Sequence, residues 1–172
     1  MNVRLMSSEE WERKRFSLLR FIRSHGERRI TQAGWLRLVA LAAAELERPG
    51  TAVAVAHTAG GQPAGIAFAA GYGDDACFVV VHPALRGRGI CRSLLSRLAD
   101  EWGRLTCRVA ADNTASLAAC FAAGLVAVGL ESGPTGKATL RLVRQPRTAG
   151  AAEGREAASG DVLAGLASPL RR

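Results

Sequence analysis

The sequence predicts an α/β fold: a mixed, mostly antiparallel sheet flanked by helices. Three observations predict it. Apolar residues keep a helical spacing through residues 1–48. From residue 51 the pattern changes to short apolar runs separated by glycine-rich turns. From residue 90 to 144 helix-like and strand-like segments alternate. At 172 residues the chain has the length of one domain, and a domain of this size buries roughly 70% of its unfolded surface without disulfides or metal. The predicted domain is 1–145. Residues 146–172 are mostly Ala, Gly, Ser, Pro and Arg without sustained period, and are expected to form a disordered tail.

Each element has a local reason. Ser7 with Glu10 makes a capping box ahead of Trp11, Phe16, Leu19 and Ile22, and Ser24–Gly26 ends that helix. Thr31 caps a second predicted helix reaching Leu46, with Leu36, Val39, Ala43 and Leu46 on one side and Pro49-Gly50 as its stop. TAVAVAHT, a GGQ turn and PAGIAFAAG read as a hairpin. GDD then opens ACFVVV, an apolar run suited to a strand buried on both faces. CRSLLSRLADEW is helical through Leu94, Leu95, Leu98 and Trp102, and LTCRVA is a strand. Asp112 or Asn113 caps a short helix that ends at Gly124, where a left-handed C-cap belongs. LVAVGLE and KATLRLV pair as a last hairpin across SGPTG.

Composition narrows the function. The formal charge of +8 is diffuse: ten Lys/Arg against six acids in 1–48, nine against six in 49–144, four against three in 145–172. A nucleic-acid reader concentrates its charge on one face, so no nucleic-acid partner is expected, and a site for a small anion fits better. Aromatics are only 5% of the chain, which leaves the packing to Ala, Val and Leu. Cys77, Cys91, Cys107 and Cys120 form no CxxC pair, and His25, His57 and His82 are scattered, so neither a metal site nor a redox motif is predicted. Free thiols suit a reducing compartment. The N-terminal SSEEWERKR has no secretory apolar run, and LVALAAA at 38–44 is too short to cross a bilayer. The expectation is a soluble cytoplasmic protein with no membrane partner.

The informative stretch is strand, loop, helix: CFVVV, HPALRGRGIC, RSLLSRL. Gly87 and Gly89 remove side chains where a helix begins, and the first amides of a helix have no intrahelical partner. Arg86, Arg88 and Arg92 add full positive charges. Together these favour a phosphate or pyrophosphate. The loop lacks the Lys-Ser/Thr of a P-loop and the three-glycine spacing of a dinucleotide fingerprint.

VHPALRGRGICRSLL resembles the acyl-CoA loop of the GNAT superfamily of N-acyltransferases, Arg/Gln-x-x-Gly-x-Gly/Ala, matched by Arg86 and Gly89 with Cys91 in place of the last small residue. Downstream, DNTASLAACFAAGL is similar to the family's Asn-x-x-Ala/Ser…Gly-Phe segment at Asn113, Ser116, Gly124 and Leu125. The resemblance covers roughly residues 1–144, and two motifs in order on the predicted elements are specific. It implies the GNAT fold, with the cofactor in a V-shaped gap between the two central strands, and acetyl-CoA as cosubstrate. The amides of Gly87, Arg88, Gly89, Ile90, Cys91 and Arg92 would hold the pyrophosphate. The strand Val79, Val80, Val81 would bind the pantetheine arm and offer an N–H to the oxyanion. Asn113 would touch the cofactor near the leaving sulfur, and a helix-capping role for it is compatible.

The resemblance implies direct attack of a primary amine on the thioester, with a proton donor for the departing thiolate. Many relatives place a tyrosine seven residues after the motif's asparagine. Here that residue is Cys120, a candidate donor that small buried packing explains as well, and better. Asp74 and Asp75 open the central strand, where a carboxylate can work through water, although GDD is also ordinary turn chemistry. His57 is a candidate to face the cleft, Tyr72 is the only tyrosine, and His82 before Pro83 serves the loop. The acceptor is an amine on a small molecule or peptide, and many relatives pair through late strands, which admits a homodimer. The missing tyrosine keeps a second reading open, a non-catalytic acyl-CoA sensor of the same fold.

Overall fold

The computed structural model of the chain describes residues 2–26 and 30–144. The expected tail at 146–172 lies outside the described residues. Strand β1 (Asn2–Leu5) is followed by helices α1 (Ser8–His25) and α2 (Gln32–Val39) and strands β2 (Ala52–His57), β3 (Pro63–Ala70) and β4 (Ala76–Val81). Helix α3 (Ile90–Trp102), strand β5 (Leu105–Ala110), helix α4 (Thr114–Ala122) and the hairpin β6 (Val126–Ser132) and β7 (Ala138–Arg144) complete the described chain. One antiparallel sheet runs β1-β2-β3-β4 and a second runs β5-β7-β6. β4 and β5 face each other without a ladder, so the predicted gap lies where the two sheets part.

The caps predicted from sequence form. Ser7 Oγ accepts from Glu10 N at 3.2 Å, and Thr31 Oγ1 accepts from Gly34 N at 3.1 Å. Each gives an otherwise unpartnered amide of the first turn an acceptor. The inward face of α1 is Trp11, Leu18 and Ile22, whereas Phe16 is 76% exposed. Five residues from Trp11 turns Phe16 about 140° around the helix, off the buried stripe. The second helix is shorter than expected. It ends at Val39, and a 3-10 turn (Ala43–Glu47) follows. Leu38 within it and Leu41 just past its end are buried, and Leu36 is exposed. The break is stabilised from α1: Trp11 Nε1–H donates to Leu41 O at 3.2 Å, and Arg15 Nη2 donates to Val39 O at 2.8 Å. β1 replaces the expected helical start and pairs its residues Asn2 to Leu5 with β2.

Alternation along β2 and β3 builds two cores. Val53, Val55, Ile66 and Phe68 face α1 and α2 with Trp11, Ile22, Leu38 and Leu41. Ala52, Ala54, Ala67 and Ala69 face α3, α4 and the second sheet with Leu94, Leu98, Leu105, Cys107 and Leu142. The small residues let α3 approach: a Cβ on Gly65 would stand 3.0 Å from Ile90 Cγ2 and 3.1 Å from Leu94 Cδ1. The scarcity of aromatics is thus met by close backbone packing on one face.

Candidate active site

The loop from β4 to α3 is built for open backbone. His82 Nδ1 accepts from Ala84 N at 3.3 Å and caps the 3-10 turn Pro83–Leu85, which is the loop role expected of it. Gly87 and Gly89 both have φ of 75°, the left-handed region that favours glycine. A Cβ on either would meet nothing within 4 Å, so the space before the helix is clear of protein. Gly89 is the N-cap of α3 without a side-chain cap, and no acidic residue sits in the first turn. The first helical bond of that turn runs from Ser93 N to Gly89 O at 3.0 Å, which leaves the amides of Ile90, Cys91 and Arg92 without intrahelical acceptors. Arg88 and Arg92 are exposed beside them. Arg86 donates through Nε to Val81 O at 3.4 Å and through Nη2 to His25 O at 3.3 Å, so its guanidinium ties the loop to β4 and α1. Unpaired amides, clear space and positive charge fit a pyrophosphate.

β4 departs from the expectation of a strand buried on both faces. Ala76 and Val80 are buried, and Cys77, Phe78, Val79 and Val81 are half-buried. The reason is topological: β4 ladders only with β3, and its other edge borders the gap toward β5. An edge strand presents unpaired N–H and C=O groups, which is what an extended amide-bearing chain needs in order to bind.

The gap is closed at its foot. Asp74 Oδ1 lies 3.7 Å from Arg108 Nη2 on β5 and 3.6 Å from Arg141 Nη2 on β7, and Arg108 Nη1 donates to Asp74 O at 3.0 Å. Arg108 also pairs with Glu131 on β6 at 2.8 Å. Asp74 therefore joins the two sheets. Asp75 is exposed beside it, with its carboxyl over Gly71, and makes no ion pair among the described residues. The ring of Tyr72 stacks edge-on to Trp102 at 5.6 Å and lies under the Arg104 guanidinium at 3.5 Å. His57 falls away from the gap. It ends β2, two strands from the opening, where burial and then Arg4 and Lys14 hold its imidazole below the ordinary value.

On the other side, α4 starts at Asn113, whose Oδ1 accepts from Ser116 N at 3.3 Å. The capping role is thus present, and it engages the carboxamide oxygen, not the nitrogen. Gly124 takes the expected left-handed conformation with φ of 83°. Cys120 is buried beside the Cys107 thiol of β5, whose hydrogen-bonding influence favours the Cys120 thiolate and lowers its pKa against the opposing effect of burial. Sequence reasoning missed that all four thiols gather here. Cys77 Sγ is 3.3 Å from Cys107 Sγ, and Cys91 lies near Cys77 and Cys120. No local spacing announces this, because the residues come from β4, α3, β5 and α4, and only the period-2 and period-3.6 faces together would have aligned them.

Known proteins bear on this arrangement. The model of the acetyltransferase (GNAT) family matches residues 8–122. No curated protein matches the sequence. Among solved structures, a variant of the spermidine N-acetyltransferase SpeG from Vibrio cholerae is similar at 16% identity with a TM-score of 0.58, covering 83% of this chain and 91% of that one. The aminoglycoside acetyltransferase AAC(6')-Ib in complex with coenzyme A and kanamycin is similar at 17% identity with a TM-score of 0.58, covering 85% and 94%. The same enzyme with acetyl-CoA and paromomycin gives 15% identity and a TM-score of 0.57. At these identities the likeness is one of fold, which is the mixed α/β acetyltransferase fold. Among the described residues no helix is long and apolar enough to cross a membrane. With the family model spanning both the glycine loop and the Asn113 segment, the chain belongs to the GNAT acetyltransferase family and is an acyltransferase.

Proposed function

We propose that the protein moves the acetyl group of acetyl-CoA to a primary amine on a small molecule by direct attack of the amine on the thioester. The observation that carries this reading is the pairing of an uncapped helix start at Gly89 with the unladdered edge of β4. The amides of Ile90, Cys91 and Arg92, with the turn at Gly87 and Arg88, hold the pyrophosphate, while the edge of Val79–Val81 aligns the pantetheine arm by strand-like hydrogen bonds. A β4 N–H donates to the thioester oxygen as charge develops there. Bound coenzyme A supplies the activated acyl carbon and the leaving thiolate. The chain's own contribution is largely positioning, which by itself is a strong source of rate.

Two side-chain roles complete the proposal. Cys120, made more acidic by the hydrogen-bonding influence of Cys107, gives the thiolate its proton. Asp75, exposed at the foot of β4, accepts the ammonium proton through water, while Asp74 keeps the foot of the gap closed through its arginines. Asn113 reaches the cofactor with its carboxamide nitrogen while its oxygen caps α4. A small amine acceptor is supported by the spermidine and aminoglycoside enzymes that share the fold. The test is thiol release from acetyl-CoA in the presence of polyamines, aminoglycosides, amino acids and peptides. Amine-dependent release is expected from a small amine. Tight binding of coenzyme A with no amine accelerating release would replace this reading with the sensor, which the burial of Cys120 also suits.

A further inference from the structure

Four free thiols from four separate elements meet under the gap between the sheets. Cys77 lies on β4, Cys91 in the first turn of α3, Cys107 on β5 and Cys120 on α4. Their sequence separations give no hint of pairing. Among the described residues no group of three or more such side chains has the arrangement of a metal site. The closest described approach joins the two strands that carry no ladder: Cys77 Sγ to Cys107 Sγ, 3.3 Å. A disulfide needs roughly 2.05 Å between sulfurs, so the pair is about an ångström from bonding distance on neighbouring, separately anchored strands.

We propose that Cys77 and Cys107 form an oxidative modification site whose substrate is a hydroperoxide, and whose product is a disulfide tying β4 to β5 across the gap. Cys77 is the entry point because it is half-buried on the open edge, while Cys107 and Cys120 are buried. The Cys77 sulfur, losing its proton, attacks the peroxide oxygen. The S–O bond forms, the O–O bond breaks, and the other peroxide oxygen leaves with the thiol proton as water, or as an alcohol where the hydroperoxide is organic. Cys107 sulfur then attacks the sulfenic sulfur of Cys77. The S–S bond forms, the S–O bond breaks, and the departing hydroxide takes the Cys107 proton as water. Two thiols give up two electrons and two protons, and the peroxide accepts them. Cys91 does not compete, since the described sulfur–sulfur contact of Cys77 is with Cys107 and not with Cys91.

The consequence for coenzyme A rests on the function proposed above. A covalent tie between β4 and β5 narrows the space the pantetheine arm needs, so the oxidised form loses cofactor affinity, and a thiol reductant restores it.

The experiment uses the full chain, reduced, desalted and treated with hydrogen peroxide, then digested without reductant and mapped by mass spectrometry. A peptide pair linked through Cys77 and Cys107, lighter by two hydrogens than its parts, is expected. Cys77→Ser and Cys107→Ser should each abolish it, and Cys91→Ser should keep it. Sulfinic acid without linkage, or linkage of Cys107 to Cys120, would overturn the proposal. Calorimetry with coenzyme A on the reduced and linked forms provides the second readout, with affinity expected to fall roughly tenfold or more on linkage. Equal affinity in the two forms would overturn the closure of the gap. Failure of the reduced form to bind would instead overturn the cofactor reading, and the mapped pair would stand.

Discussion

Gly73 packs directly against the backbone of Thr106, and this contact brings the two sheets together at the foot of the gap. A Cβ on Gly73 would run into the Thr106 carbonyl, and the residue's φ of 96° already favours glycine. Thr106 Oγ1 lies 3.5 Å from Asp74 Oδ2, so the close approach and the charged network share one point. Gly73→Ala therefore has to push β4 away from β5 while adopting a disfavoured conformation. A loss of about 3 kcal/mol is expected from strain and displaced packing together. Urea unfolding of the variant reads it directly, and a midpoint equal to that of the parent would deny the contact its role.

The open space beyond Gly89 gives a second prediction. Because a Cβ there touches nothing, Gly89→Ala adds only left-handed strain, of about 1 kcal/mol, and should weaken coenzyme A modestly. Gly89→Glu places a negative charge among the unpaired amides and should reduce affinity roughly a hundredfold at similar thermal stability. Titration calorimetry separates the two variants. Equal affinities for alanine and glutamate would mean that the amides do not meet an anion.

Asp74 and Asp75 are adjacent in sequence and differ in surroundings. Asp74 carries two arginine contacts at 3.6–3.7 Å, half exposed to solvent. Such pairs contribute about 1 kcal/mol or less and weaken with salt. Asp74→Asn should lower stability by that amount in dilute buffer, less at high salt. Asp75→Asn should leave stability unchanged and lower turnover about tenfold or more if it relays the proton. Parallel unfolding and rate measurements decide it, and identical effects of the two substitutions would contradict the division of labour.

How much of this was legible in the sequence depends on what each feature rests on. The caps at Ser7, Thr31 and Asn113 and the left-handed Gly124 are local choices, set by a few neighbouring residues, and they read directly. Where a helix is ended by distant partners, local reading overran. The stop at Val39 depends on Trp11 and Arg15 holding the carbonyls of Leu41 and Val39 from another helix. Phe16 looked like core because it is apolar, but its angle around α1 turns it outward. β1 is four residues of mixed polarity, and only its pairing with β2 makes it a strand. The half-buried character of β4 and the convergence of the thiols follow from the order of strands across the gap, which no single segment encodes.

Cys120 offers a test through pH. As a general acid it works only while protonated, so kcat should decline as pH rises through its pKa. The hydrogen-bonding influence of Cys107 places that pKa below the usual 9.0 of a thiol. Cys120→Ala should cost several-fold in kcat at neutral pH and remove this alkaline decline, and Cys120→Ser should keep the packing without the acidity. Rate profiles from pH 6 to 10 that superimpose for parent and alanine variant would leave Cys120 as packing alone.

His25 links stability to pH next to the glycine loop. Its ring stacks on His82 at 4.6 Å, and its carbonyl accepts from Arg86. Burial first, then the charges of His82 and Arg86, hold its pKa below 6.5. The folded chain therefore resists protonation that the unfolded chain accepts. Stability is full above pH 6.5, is lost as pH falls from 6.5 toward the depressed value, and levels off below it. His57, depressed by burial, adds a second loss of the same sign. Replacing His25 by Gln removes one of the two, so its stability should fall less between pH 7.5 and 5.5 than the parent's does. Because Arg86 anchors the loop to the His25 carbonyl, protonation beside it should also loosen the site, and coenzyme A affinity should drop over the same interval in the parent more than in His25→Gln. Denaturant unfolding and calorimetry at matched pH values check both, and parallel curves for the two proteins would remove His25 from the linkage.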